Sequence, residues 1–148
     1  MNREDLGILE IHHVGVAVSD LAAARSFYLG EMGLKDAGAE VIESQGVRVF
    51  FAAAGGTEVE CLEPTRPDSP LAKFLLRRGP GLHHLAWRVR DLEATLALLA
   101  RRGVRLIDEK PRPGARGTRV AFVHPSATGG VLTEFVEDPP RPLPAKTP

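Results

Sequence analysis

Two histidines and two glutamates recur at matching places in this chain, and together they could hold one divalent cation. His13 stands in His12-His13-Val14-Gly15-Val16-Ala17-Val18-Ser19-Asp20-Leu21. His84 stands seventy-one positions later, in His83-His84-Leu85-Ala86-Trp87-Arg88-Val89-Arg90-Asp91-Leu92. Gly46-Val47-Arg48-Val49-Phe50-Phe51 returns as Gly117-Thr118-Arg119-Val120-Ala121-Phe122. Val59-Glu60-Cys61-Leu62-Glu63-Pro64 returns, slightly lengthened, as Thr133-Glu134-Phe135-Val136-Glu137-Asp138-Pro139. Two imidazoles and two carboxylates neutralise a dication and leave coordination positions open for water or substrate, which suits Co, Mn, Ni, Fe or Zn. The ordinary reading competes with this one. A lone strand histidine is commonly a hydrogen-bonded core residue, and a lone strand glutamate commonly faces solvent. Recurrence of both types at matched positions raises the metal reading to parity, and the pattern alone takes it no further.

The elements that must position these residues follow from the repeat. Two copies are too few for a solenoid, so they must share a core, with a site where they meet. Each copy reads as strand, helix and three more strands. Ile11–Val18 is β-branched and predicts a strand. Asp20 caps a helix over Leu21–Glu31 that Gly33 ends. Strands are expected near Ala39–Glu43, Val47–Ala53 and Glu58–Glu63. In the second copy a strand spans Leu82–Val89. Asp91 caps a helix to Arg102, with Leu92, Leu96 and Leu99 on one face. Strands follow near Val104–Ile107, Arg119–Val123 and Val131–Val136. Ser69 before Pro70 starts a helix that links the copies.

The fold class is therefore α+β: paired βαβββ modules forming a curved eight-stranded mixed sheet around a central cavity. One domain over 8–138 is expected, with modules of about 8–64 and 81–138. Residues 139–148 form a proline-rich tail that cannot extend a sheet and is expected to be mobile, as are the first few residues.

Strand side chains alternate between faces. Val14, Val16 and Val18 should pack under the helix, and His13, Gly15 and Ala17 should line the cavity. The same rule sends His84 and Ala86 inward and Trp87 under its helix. It sends His12 and His83 outward, away from any ligand role. A strand carboxylate is costly to bury without a partner, and a cation would supply one to Glu60 and Glu134. Cys61 reads as a small core residue.

Composition narrows the class. A chain of 148 residues with 43% apolar content can bury one real core. Nineteen basic residues balance nineteen acidic ones, so no general attraction to nucleic acid or anionic membrane is expected. No apolar run approaches the ~20 residues of a membrane span, and the N-terminus lacks the apolar stretch of a signal peptide. A single cysteine rules out an internal disulfide and a Cys-type structural zinc site, and fits a cytoplasmic location.

At these residues the chain resembles the vicinal oxygen chelate superfamily and, within it, the methylmalonyl-CoA epimerases. The stretches that carry the resemblance include His12 to Val18, Glu60 to Pro64, Asp68-Ser69-Pro70-Leu71 to Leu75 and Gly81 to Ala86. Gly103 to Glu109, Pro111 to Ala115 and His124-Pro125 through Gly129-Gly130-Val131-Leu132 to Glu134 complete it. The match spans roughly residues 10 to 137. The resemblance implies metal ligands at His13, Glu60, His84 and Glu134, the second of these being Gln or Glu across the family. It implies an acyl-CoA substrate, a homodimer, and inversion of the carbon between a thioester and a carboxylate through an enolate. Glu134 is the candidate acid–base residue.

The chain departs from some members, which carry a second glutamate where Val49 stands. The second proton carrier is then unassigned; Glu43 lies nearby but reads as a surface residue. Arg112, Arg116, Lys73, Arg77 and Arg78 are available for coenzyme A phosphates, Arg116 foremost. The rival functions are a glyoxalase I-type lyase using the same four ligands, an epimerase of ethylmalonyl-CoA, a ring-cleaving dioxygenase and a metal-free binding protein. The epimerase-like segments around His124 and Gly129 weigh against the lyase.

Overall fold

The computed structural model describes residues 5–142 and 145–146. Eight strands form one mixed sheet: β1 (Ile8–Ala17), β2 (Lys35–Ile42), β3 (Val47–Ala54), β4 (Thr57–Pro64), β5 (Gly81–Val89), β6 (Arg112–Pro113), β7 (Arg119–Val123) and β8 (Leu132–Glu137). Their order is β2-β3-β4-β1-β5-β8-β7-β6. Each module's first strand lies parallel to its own last strand, β1 to β4 and β5 to β8. The two modules join within the sheet at the antiparallel β1–β5 pair alone.

Three helices flank the sheet: α1 (Leu21–Arg25), α2 (Pro70–Arg78) and α3 (Leu92–Arg101). The expected helix over Leu21–Glu31 is realised as α1 followed by a π turn, Ser26–Glu31. The same capping device opens α1 and α3. Asp20 accepts from Ala23 N–H and Asp91 from Ala94 N–H. Glu63 accepts from Leu21 N–H and Glu137 from Leu92 N–H. Arg48 and Arg119 donate to those same glutamates. Four otherwise unpaired helix-start donors are thus satisfied by matched residues of the repeat. Ser69 caps α2 by accepting from Ala72 N–H, with Pro70 in the first turn.

Two apolar layers lie on the convex side, one per module. Val16, Val18, Phe50 and Cys61 pack with Leu21, Tyr28 and Leu29. Val89, Ala121 and Phe135 pack with Leu92, Leu96, Leu99 and Trp87. Ala17, Val47, Val49, Phe51, Leu62 and Leu71 fill one end of the concave side.

One predicted strand does not form. Val104–Ile107 makes a single bridge, Leu106 to Val123. Val104 and Leu106 instead pack against the α3 layer, and the edge of the sheet is the two-residue β6, where Pro113 and the preceding Pro111 cannot donate to a ladder. Of the predicted proline-rich tail, residues 139–142 form neither helix nor strand; positions 143, 144, 147 and 148 lie outside the described residues, as do the first four.

Candidate metal centre

The four sequence-predicted residues meet at one point. His13 on β1, Glu60 on β4, His84 on β5 and Glu134 on β8 are all buried, each no more than 5% exposed. One donor atom from each lies within 4.8 Å of every other. His13 Nε2 is 2.7 Å from Glu60 Oε2 and 3.6 Å from Glu134 Oε2. His84 Nε2 is 3.4 Å and 3.1 Å from the same two oxygens. The two Nε2 atoms are 2.9 Å apart. A tetrahedral ion with ~2.1 Å bonds sets its donors ~3.4 Å apart, so the quartet is already near the edge lengths a divalent ion needs. Its donors are also the ones such an ion takes: two neutral imidazoles and two carboxylates, buried together.

The sheet register explains the convergence. Gly15 pairs with Glu60 along β1–β4 and with His84 along β1–β5, while Ala86 pairs with His13 and with Glu134. Each ligand imidazole therefore sits beside a residue with little or no side chain. At Gly15 the fit is absolute: a Cβ there would lie 2.1 Å from Cε1 of His84. Phe51 and Phe122, matched in the repeat, meet His13 and His84 edge-on, each with ring centroids 5.9 Å apart.

Without an ion the quartet holds protons. Burial opposes charging His13, but hydrogen bonds to Glu134 and Glu60 prevail and raise it to about 10. The same balance raises His84 to about 9. Burial would raise both glutamates, yet hydrogen bonds from His13 and His84 hold them well below the usual carboxylate range. A dication substitutes for those protons.

His12 and His83 are not where alternation put them. Both line the cavity. Beyond an irregularity between Ile8 and Glu10 near the start of β1, the β1–β5 register slips by one residue between Ile11 and His13 on β1, and again opposite Gly15–Val16 on β5. Each slip is a bulge that inserts one unpaired residue, His12 in one strand and His83 in the other. A bulge lets two successive side chains share a face. His12 Nδ1 then lies 2.7 Å from His13 Nδ1, and His83 Nδ1 lies 2.9 Å from His84 Nδ1. With Nε2 of each ligand turned to the ion, Nδ1 carries the proton and donates to the neighbouring histidine. His12 must then bear its own proton on Nε2, which faces Asp138 Oδ1 at 3.4 Å. Asp138 is held in turn by Arg88 Nε at 2.8 Å, and Arg88 pairs with Glu10. His83 has no such carboxylate among the described residues; its ring rests edge-on against Phe74 of α2. Burial, and then His84, lowers it to about 4.

The quartet lies in a cavity of about 210 Å³ whose walls come from both modules and from α2. Val49 is fully buried in the apolar cluster with Ala17, Phe51 and Leu71. Glu43 is exposed in a 3-10 turn, and its neighbours Ile42, Ser44 and Gln45 line the cavity while Glu43 does not. Cys61 packs in the convex layer, and burial pushes its thiol up to about 12.

The family model for the glyoxalase/bleomycin resistance protein/dioxygenase superfamily matches residues 12–122. Mitochondrial methylmalonyl-CoA epimerase of Bos taurus is 38% identical over 126 residues, covering 84% of this chain and 72% of the bovine one. The chain belongs to the methylmalonyl-CoA epimerase family. A crystal structure of the family member from Mycobacterium tuberculosis superposes with a TM-score of 0.88 at 38% identity, covering 95% of this chain and 94% of the other. A methylmalonyl-CoA epimerase in complex with methylmalonyl-CoA and NH4+ superposes with a TM-score of 0.85 at 38% identity, covering 88% and 94%. The curved eight-stranded sheet is thus the epimerase family's fold, and the His13/Glu60/His84/Glu134 quartet sits within it as a site for a single divalent ion.

Proposed function

We propose that this protein interconverts (R)- and (S)-methylmalonyl-CoA by removing and returning the α-proton, with residues 8–138 acting as one unit. What supports it above all is the buried quartet of donors opening into a cavity large enough for an acyl group, in a chain of this family. A divalent ion held by His13, Glu60, His84 and Glu134 would draw negative charge onto the thioester oxygen and so make the α-hydrogen acidic. Glu134 is the acid–base residue in this reading. Its Oε2 faces both histidines, and its carboxylate lines the cavity where the α-carbon would lie. Val49 has no group to carry a proton, so the opposite-face partner is a different one from the glutamate of some relatives. The apolar wall formed by Leu62, Leu71 and Val47 accommodates a methyl branch and discriminates weakly against ethyl, by about 1–3 kcal/mol.

No described helix is long and apolar enough to cross a membrane. A cytoplasmic homodimer acting on an acyl-CoA, with no nucleic-acid or membrane partner, completes the proposal.

The deciding experiment is deuterium uptake at the α-carbon of methylmalonyl-CoA, with and without added cobalt, followed by stereochemical analysis. Cobalt-dependent uptake with racemisation is expected. Its absence, or thioester formation from methylglyoxal and glutathione instead, would defeat the proposal.

A further inference from the structure

Two arginines reach the cavity, Arg112 from β6 and Arg116 from the turn that follows it, and their surroundings differ. Arg116 lies over Phe51, its guanidinium carbon 3.7 Å from the ring centroid. Its terminal nitrogens donate to both oxygens of Glu58, at 2.9 and 2.7 Å, and one also donates to the Ala37 carbonyl at 3.2 Å. Its backbone N–H donates to Glu40, and its backbone is left-handed, with φ of 57°. The arginine that the sequence offered first for anion binding is therefore occupied in tying the loop to the first module.

Arg112 lies over Phe122, 5.2 Å from the centroid. Asp108 Oδ2 approaches its Nε at 3.3 Å, and that nitrogen is buried without a hydrogen bond. The approaching oxygen, Oδ2, already accepts from Phe122 N–H at 2.9 Å. Among the described residues, no hydrogen bond involves the two terminal nitrogens of Arg112. Phe122 separates this guanidinium from the ligand His84 by one ring. Ile107, Val120 and Leu132 make the adjoining wall apolar. A guanidinium steadied at Nε, with its outer edge open beside apolar surface, presents the geometry that binds a carboxylate through two parallel hydrogen bonds.

A divalent ion balanced by the carboxylates of Glu60 and Glu134 leaves no net positive charge for an anionic acyl group entering this cavity, so that group requires a further cation with hydrogen-bond donors to spare. We propose that Arg112 is the specificity-determining residue that receives the free carboxylate of the acyl-CoA substrate and so selects malonyl-type thioesters over simple acyl thioesters. This rests on the epimerase reading above. Asp108 is the positioning residue for Arg112.

The test is calorimetric binding of methylmalonyl-CoA, propionyl-CoA and free coenzyme A to the metal-loaded protein, wild type, Arg112→Gln and Arg112→Lys. Wild type should bind methylmalonyl-CoA more tightly than propionyl-CoA. Arg112→Gln should lose ~10–100-fold on methylmalonyl-CoA alone, and Arg112→Lys should fall between, since it keeps charge but not the fork. Equal losses on all three ligands would move the contact to the coenzyme A phosphates and overturn the proposal, as would no loss at all. Should Arg112→Gln fail to fold, the lysine variant makes the same comparison. Deuterium uptake by wild type, measured separately, reports whether the epimerase reading itself stands.

Discussion

The two modules share a scaffold and differ at the bulge that lies beside each ligand histidine. Both open their helix with an aspartate cap, a strand-end glutamate and a supporting arginine. Both set a phenylalanine edge-on to the ligand imidazole. Beyond that the halves diverge. His12 is continued by Asp138, Arg88 and Glu10, whereas His83 meets Phe74. Asp138 is the extra residue of the second copy; in the first, Glu63 is followed directly by Pro64. Gly15 leaves no room for a side chain, whereas its counterpart Ala86 carries one. Duplication thus preserved what folds each half and released what surrounds the ion. One histidine is fixed by a charged chain, and the other rests against an aromatic ring of α2.

The largest effect should separate the two carboxylates. Glu134→Gln should lower α-proton exchange by ~10³-fold or more, while Glu60→Gln should retain most of it, as expected where either residue type serves as ligand. Mass-spectrometric deuterium uptake checks both; equal losses would erase the distinction. Next, Gly15→Ala drives a Cβ into the His84 ring and should weaken cobalt binding by more than ~100-fold, because a ligand held off its geometry is lost. Ala86→Gly should leave cobalt affinity within a few-fold, read by the same titration.

Proton release would sharpen the symmetry. His13 and His84 are raised to about 10 and about 9 in the metal-free protein, so below pH 9 an arriving ion displaces one proton from each module. Affinity should therefore fall as pH falls, by up to ~100-fold per unit. Calorimetry in buffers of different ionisation enthalpy counts the protons; release of only one at pH 7 would show that the halves are unequal. Asp138→Asn should cost ~10–100-fold in metal affinity by loosening His12 behind His13. His83→Phe should cost less, and the reverse order would sink the assignment of the charged chain. The smallest effects belong to the caps: Asp20→Ala and Asp91→Ala should each destabilise by about 1 kcal/mol, seen as shifts in the urea midpoint.

Much of this was legible in the residues. The repeat gave seven of the eight strands and the four residues that converge, because period-two alternation holds from His13 to Ala17 and from His84 to Val89. It failed one residue earlier in each case. A bulge breaks the alternation and leaves no mark in composition, so His12 and His83 were assigned to the wrong face. Val104–Ile107 looked like a strand because it is apolar and β-branched, but that apolarity serves the α3 layer. Arg116 looked free because Glu58, its partner, is fifty-eight positions away in the chain, and no local pattern reports a pairing across a cavity.

The paired bulges have a consequence for how the duplicated chain aligns with itself. Within the sheet the halves join through one ladder, and a slip of a single residue there would turn the imidazoles away from the carboxylates while leaving every strand intact. An unpaired histidine on each side of that ladder makes such a slip incommensurate, since both extra residues would have to find new places at once. The joint between the halves thus carries its own alignment key, cut into the two strands that bear His13 and His84.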